Sequence, residues 1–353
     1  MSTAICIPPI TITDAMITSS TAFEVSPTAY NSGTTYALGA FASVAGAAGL
    51  IAVYKSIQAG NLNNTPASSP LWWVVLCYTY QEYSGAATYA SGDYVIDAAA
   101  HLVYQSLVSS NTGNALSDET KWSRIGPTNK WAMFDLDRNS GTTQTGPLTV
   151  VIEPDQRIDS IGLFGVVGSE ATITMTVSAV DVYTKTISMT GRNTLTWSDY
   201  FFGMFRQVPS LLLTDLPPYA NATITVTIEG VTASCGALVV GSYVEMGNTQ
   251  YGASNDGENF SRIERDEFGN STLVRRRTIP RIQALIVCKK SNTNRLRELR
   301  VDTNAEPAVW SLLGSDDTDD YFESLLILGV YRKFLINVDH PQHTVVEFEA
   351  EEI

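Results

Sequence analysis

The chain has 353 residues, of which 44% are hydrophobic and only 16% charged, with a formal net charge of −14. Neutralising phosphates takes an excess of Lys and Arg, so this balance argues against a nucleic-acid-binding protein and disfavours an anionic membrane surface. The length allows two to four domains, and plentiful Thr, Ser, Gly, Val and Tyr favour β-structure with many turns.

The first residues, MSTAICIPPITITDAM, show no basic region followed by a long apolar stretch, so no signal peptide is expected. No apolar run reaches the roughly 18–20 residues that span a bilayer. Residues 37–53 come nearest and are diluted by Gly and Ala. Cys6, Cys77, Cys235 and Cys288 stand far apart without a CxxC, which points to four isolated reduced thiols and not to a zinc ribbon or disulfide framework. Residues 1–29 read as an N-terminal arm, and folding in a cytoplasm is expected.

Residues 30–126 contain one pattern twice, with a period of about 50 residues, which marks tandem modules. Tyr36 aligns with Tyr89, Gly39 with Gly92, Val53-Tyr54 with Val103-Tyr104, and Ser56-Ile57 with Ser106-Leu107. The Asn61–Asn64 stretch then aligns with Asn111–Asn114, and each copy closes on tryptophan, Trp72-Trp73 and Trp122. Tyr-x-x-Gly reads as a strand entry and a turn in which Gly supplies a positive φ. Two short strands follow as a hairpin, and the Asn-rich loop returns the indole to cover the one apolar face of a very small sheet. The expected modules are 30–77 and 78–126, each three-stranded, with Tyr36, Tyr54, Trp73, Tyr89, Tyr104 and Trp122 as their aromatic cores.

This order resembles the small chitin-binding-type carbohydrate modules of chitinases and cellulases, and it maps onto Tyr89, Gly92, Val95, Tyr104 and Trp122. Those modules carry a pair of exposed aromatics after the second-strand Tyr, where this chain has Ser56-Ile57 and Ser106-Leu107. Tyr30, Tyr83 and Tyr94 remain as candidates on which sugar rings could stack. The competing expectation, which we favour, is that these tyrosines pack the hairpins and the modules serve for spacing or docking.

The second copy runs into IGPTNKWAMFD at 125–135. Pro127 fixes φ, Asn129 can cap backbone groups, and Trp131, Met133 and Phe134 read as an anchor against the next domain. The string GPTNKWAMFD resembles a signature of tailed-bacteriophage structural proteins, in which it joins carbohydrate-module-like repeats to a β-sandwich. That resemblance implies a virion component of the tail-tip or baseplate type.

From Gly146 the text has period two. Residues 148–153, 158–167, 172–179 and 222–229 alternate apolar with Thr or Ser, or run apolar, as strands with a buried face. Residues 236–243 are more uniformly apolar and suit a central strand. The expectation for 127–250 is a β-sandwich or jelly roll, similar to the galactose-binding-like sandwiches that follow the GPTN motif in phage proteins. A polar stretch at 247–259 reads as a linker or extended arm. Beyond it, DEFGN flanked by charges predicts a hairpin. Residues 292–301 set Leu296 and Leu299 opposite arginines as an amphipathic helix, and further strands complete a small α+β domain over 251–353. The order again resembles the C-terminal region of phage tail proteins.

Candidate chemistry is sparse. Arg275, Arg276, Arg277 and Arg281 form the one basic cluster, but 251–353 holds 18 acidic against 13 basic side chains, so an intersubunit contact is preferred to nucleic acid. Asp316, Asp317, Asp319 and Asp320 lack EF-hand spacing and read as a solvated loop. His340 and His343, at a strand exit, are expected on opposite sides, and no zinc site is foreseen there or at His101. No GxSxG, HExxH, Walker loop or GxGxxG occurs. An acid pair converging only in space would be the one route to a glycosidase. Composition and patterning predict a mainly β protein, and the resemblance implies a non-enzymatic phage tail protein without metal or cofactor, assembled in the host cytoplasm. Its expected partners are other tail or baseplate proteins and fibres, and copies of itself in a ring or trimer, with neither nucleic acid nor membrane. Recognition of a host surface polysaccharide by the tandem modules is the alternative.

Overall fold

The Thr/apolar alternation at 172–179 and 222–229 builds two neighbouring strands, Glu170–Val177 and Thr223–Glu229. They belong to a computed structural model that describes residues 3–191, 196–265, 267–316, 321–338 and 340–353. Cross-strand register places Ile173 opposite Val226 and Met175 opposite Ile224, all buried, while the threonines stay on the wetter face. Thr149–Thr227 and Thr172–Thr186 hydroxyl pairs bridge strands on that outer face at 3.1 and 2.9 Å. The complete antiparallel sheet runs Val180–Ser188, Glu170–Val177, Thr223–Glu229, Leu148–Ile152, Ile17–Ser20.

A second sheet of three strands, Ser210–Leu213, Ser160–Phe164 and Ala237–Gly241, faces it. Ile161, Leu163, Leu211, Leu213, Leu238 and Val240 point into the core between the two sheets. The alternate residues, Phe164, Leu212, Ala237 and Val239, point the other way, into a second core shared with Ile5, Ile7, Val309 and Leu328. The uniform apolarity of 236–243 thus has a different cause from the expected one. Ala237–Gly241 is an edge strand of its sheet, but layers cover both its faces. Its free edge is met by the N-terminal segment, where the Ile10 amide donates to the Val240 carbonyl at 2.9 Å.

The third layer corrects two expectations. Residues 247–259 are not a linker: Val244–Thr249 and Ser254–Asn259 are strands of a seven-stranded antiparallel sheet. Thr3–Ile7 enters that sheet between Val244–Thr249 and Ala308–Ser311, so the first residues are no free arm but a part of the C-terminal unit. Ile17–Ser20 joins the sandwich instead, pairing with Leu148–Ile152. The seven-stranded sheet closes on itself through Asn248↔Val287 and Thr249↔Ile286. Trp310, Phe334 and Phe348 fill the interior, with Leu296 and Leu299 of the helix Thr293–Asp302 packed into the same core. The helix and strands fit the expected mixed character of this region, and the chain as a whole is mainly β.

The tandem region forms one six-stranded sheet. Three strands of the first copy, Phe41–Ala45, Leu50–Ser56 and Trp73–Glu82, adjoin three of the second, Tyr94–Asp97, Leu102–Ser106 and Trp122–Pro127. The seam is a parallel pairing of Gln81 with Val95 and Glu82 with Ile96. Gly49 makes the seam possible. Its φ is +77°, and a Cβ there would stand 2.1 Å from the Tyr94 carbonyl oxygen. Among the described residues no helix is long and apolar enough to cross a membrane.

Candidate functional site

The two copies repeat the same hydrogen bonds around their closing indoles. Gly39 and Gly92 turn the chain with φ of +84° and +95°, and their amides donate to Ser56 and Ser106 carbonyls, both at 2.8 Å. Asn61 Nδ2 donates to Ser56 Oγ at 3.0 Å, and Asn111 Nδ2 to Ser106 Oγ at 2.9 Å. Asn64 and Asn114 donate in turn to Asn61 and Asn111 Oδ1. Trp73 Nε1 donates to the Asn64 carbonyl at 2.8 Å, and Trp122 Nε1 to the Asn114 carbonyl at 3.1 Å. Each indole is thereby placed by an Asn-rich loop, whose buried asparagine amide is satisfied by the serine at the end of the preceding strand and by the carbonyl just before the indole.

Around each indole stand two tyrosines. Tyr36 and Tyr89 meet Trp73 and Trp122 edge-on at 4.9 and 5.2 Å, and Tyr30 and Tyr83 do so at 6.1 and 5.8 Å. Tyr54 and Tyr104 pack onto the same clusters. The rings of Tyr30 and Tyr83, two of the three candidates for sugar stacking, are half-buried and engaged inside their own modules. Tyr94 lies elsewhere: it stacks on Tyr80 at 5.0 Å, and its hydroxyl accepts from Gln105 Nε2.

At the indole cluster the copies differ in one hydroxyl. Tyr83 Oη donates to the Asn114 carbonyl at 2.7 Å, whereas Tyr30 Oη is buried without a hydrogen-bond partner. Losing a made bond costs about 1 kcal/mol, while removing an unsatisfied buried hydroxyl relieves a desolvation cost. Tyr83→Phe is therefore expected to destabilise by about 1 kcal/mol, and Tyr30→Phe to be neutral or stabilising. Paired urea titrations of the two variants check this.

The pivot contains a keystone absent from the motif itself. Trp131 and Met133 are buried in the sandwich core, and Phe134 packs beside them. Asn129 clamps the Thr143 backbone, donating to its carbonyl at 3.2 Å and accepting from its amide at 2.9 Å. Pro127 ends the last module strand. Glu24, from the supposed arm, ties these parts together. One carboxylate oxygen accepts from His101 Nδ1 and Thr128 Oγ1, both at 2.9 Å, and the other from Trp131 Nε1 at 3.1 Å. His101 stacks on Trp131 with centroids 3.9 Å apart, and its other ring nitrogen faces Asp14 at 3.1 Å. The Glu24 carbonyl accepts from Thr79 Oγ1 in the module sheet. One side chain thus joins N-terminal segment, module sheet and pivot.

The basic cluster is largely spoken for by the C-terminal strand. Glu351 and Glu352 are 8% and 5% exposed. Glu351 accepts two bonds from Arg332, at 2.7 and 2.9 Å, and one from Arg281 Nε at 2.8 Å. Glu352 takes Arg277 at 2.8 Å and Arg138, from the sandwich side, at 2.6 Å. Arg275 and Arg276 are exposed. The Arg332 guanidinium, hydrogen-bonded to Glu351, holds that carboxyl below the ordinary glutamate value, and Arg281 adds to the effect against an opposing push from burial. A depressed folded-state pKa gives stability that is present above the unfolded value, about 4.3, and lost as the pH falls through the lower folded value. Glu351→Gln should accordingly lower the denaturant midpoint at pH 7, and the gap to wild type should close in acid. Denaturation series at both pH values check the sign.

The histidine pair, the aspartate loop and the cysteines remain. His340 and His343 do not point apart as expected: their rings lie 5.1 Å apart with Nδ1 atoms at 3.4 Å. The exposed turn between the two residues folds the rings together, where a straight strand would have separated them. Among the described residues no group of three or more His, Cys, Asp or Glu side chains could hold a metal. Asp317, Asp319 and Asp320 lie outside the described residues. All four cysteines are free and buried, and burial pushes their thiols up, Cys235 to about 12.

Two surfaces escaped the sequence reading. Residues 197–205, WSDYFFGMF, place six large apolar side chains in nine positions. The short helix Trp197–Phe202 starts at a capping box, Thr196 with Asp199, and leaves Trp197, Phe201, Phe202 and Met204 66–90% exposed. The expected hairpin forms, Arg262–Arg265 against Ser271–Val274, but among the described residues its strands pair only with each other, as an exposed ribbon. The density of aromatics was the available signal for the first; nothing local announced the second as unsupported.

Comparison with protein-family models, curated proteins and solved structures finds no match.

Proposed function

We propose that this chain is a non-enzymatic structural component of a bacteriophage tail, at the tail tip, baseplate or fibre anchor, working through protein–protein assembly. The observation that carries this reading is the Glu24 junction. It fixes the tandem modules to the sandwich through partly buried hydrogen bonds, as a load-transmitting part needs and a flexibly tethered sugar-binding module does not. The GPTNKWAMFD string, lying at that junction, and the order of modules, sandwich and C-terminal unit support the same role. The tail is its proposed location, reached by assembly in the host cytoplasm, with tail proteins, fibres and further copies of itself as partners.

Antibody against residues 30–126, applied with gold label to purified tailed particles from cells carrying the gene, should decorate one end of the tail. Particles that band free of the chain would overturn the proposal.

A second reading keeps one observation. Tyr80 and Tyr94 stack on the outer face of the module sheet beside Tyr78, which is 54% exposed, and such a face can take a sugar ring. Weak single sites would gain from many copies on one particle. Retention of the full chain on a polysaccharide array, lost in Tyr94→Ala, would favour recognition; the assembly reading expects no retention.

A further inference from the structure

Among the described residues, the ribbon formed by Arg262–Arg265 and Ser271–Val274 pairs with no third strand. A two-stranded hairpin is marginal in water without a third strand or a packed face. Here seven of the eight strand residues are exposed. Ile263 and Leu273 sit directly opposite each other, hence on one face, at 60% and 75% exposure. Arg265, two residues from Ile263, shares that face. The ribbon therefore displays an apolar pair with a cation beside it.

The aromatic loop is its chemical complement. Trp197 stacks on Phe201 with centroids 6.4 Å apart, and both rings keep most of their surface in solvent, as do Phe202 and Met204. Asp199 lies within the loop, and Arg206 at its end pairs with Glu323. An apolar cluster of this density on a folded surface marks an interaction site.

Charge selects the occupant. Residues 260–277 hold five arginines against three carboxylates, an excess of two positive charges, on a chain whose total is −14; the rest of the chain therefore carries −16. A net-positive arm is attracted to the acidic body of another copy, while two bodies without arms would repel. The loop and the strand that leads to the arm meet the same short stretch: Arg206, at the loop's end, bonds Glu323, and Asn255, five residues before the arm, donates to the neighbouring Ser324 carbonyl. Each copy thus offers an arm and an acceptor together.

We infer that the 260–277 hairpin of one copy clasps the Trp197–Met204 loop of another, laying Ile263 and Leu273 against Phe201 and Phe202. The contact is between copies of this chain and holds whether or not they work in a tail.

The test is complementation. Wild-type chain measured by light scattering on a sizing column should run above monomer mass. Ile263→Asp/Leu273→Asp and Phe201→Asp/Phe202→Asp should each run as monomers with unchanged thermal melts, because all four positions are exposed. Mixed together, the two variants should recover dimer, since one supplies an intact loop and the other an intact arm. As an independent reading, Leu273→Cys mixed with Phe202→Cys should give a disulfide-linked dimer on a non-reducing gel. A wild-type chain that stays monomeric at its solubility limit, a mixture that fails to recover dimer, or a pair that fails to cross-link would overturn the clasp. So would flotation of a monomeric chain with phosphatidylcholine vesicles through the aromatic loop, which would make lipid the occupant.

Discussion

Glu24→Ala is expected to lower the free energy of unfolding by about 3–5 kcal/mol, because two buried donors lose a charged acceptor at once. Three donors lose their acceptor together: the buried indole of Trp131, the buried hydroxyl of Thr128, and the ring of His101. Each orphaned group costs about 1–3 kcal/mol when water cannot reach it, and His101 keeps Asp14 as a partner, which limits the total. Exposed Glu119→Ala serves as the control and should stay within about 0.5 kcal/mol of wild type. Denaturant midpoints decide the matter. If Glu24→Ala and Glu119→Ala coincide, the junction is not what holds the modules in place, and the mechanical reading loses its main support.

Trp73→Ala and Trp122→Ala should each cost about 3–5 kcal/mol, and by similar amounts. Both indoles are 2% exposed, both donate to an asparagine carbonyl, and both receive two tyrosine rings at matching distances and angles. A module this small has few other large side chains to hold its sheet, so the cavity left by either truncation cannot collapse cheaply. Calorimetry on the two variants gives the comparison. A large loss for one tryptophan beside a negligible loss for the other would show that the copies are alike in sequence but not in energetics.

The repeat was legible because its determinants are local. Tyr-x-x-Gly, the Asn-rich loop and the closing Trp act within about 50 residues of each other, and the turns need the positive φ that Gly39 and Gly92 supply. The same holds for the Thr-alternating strands at 170–177 and 223–229, whose faces follow from a period of two. The seam between the copies was not legible, because it depends on Gly49 approaching the backbone of Tyr94 from outside its own module.

Site residues divide in the same way. The aromatic cores and the pivot anchors were found from type and order. Glu24 was not, because a lone glutamate in a polar stretch has no periodic neighbour to mark it. Its partners lie 77, 104 and 107 residues away. Arg277 and Arg281, expected at an intersubunit contact, answer Glu352 and Glu351 within the chain, which the charge count alone could not reveal.

By itself the sequence determined the β character, the two aromatic staples, the anchor after Pro127 and the short C-terminal helix, since alternation, turn chemistry and helical spacing act between near neighbours. Only the tertiary structure decided which strands share a sheet, that Thr3–Ile7 completes the C-terminal unit, that Ala237–Gly241 is covered on both faces, and that Glu24 closes the junction. Those outcomes rest on burial and hydrogen bonding between segments far apart in the chain, where the cost of an unpaired polar group or a bare apolar face is settled by whatever the fold brings alongside.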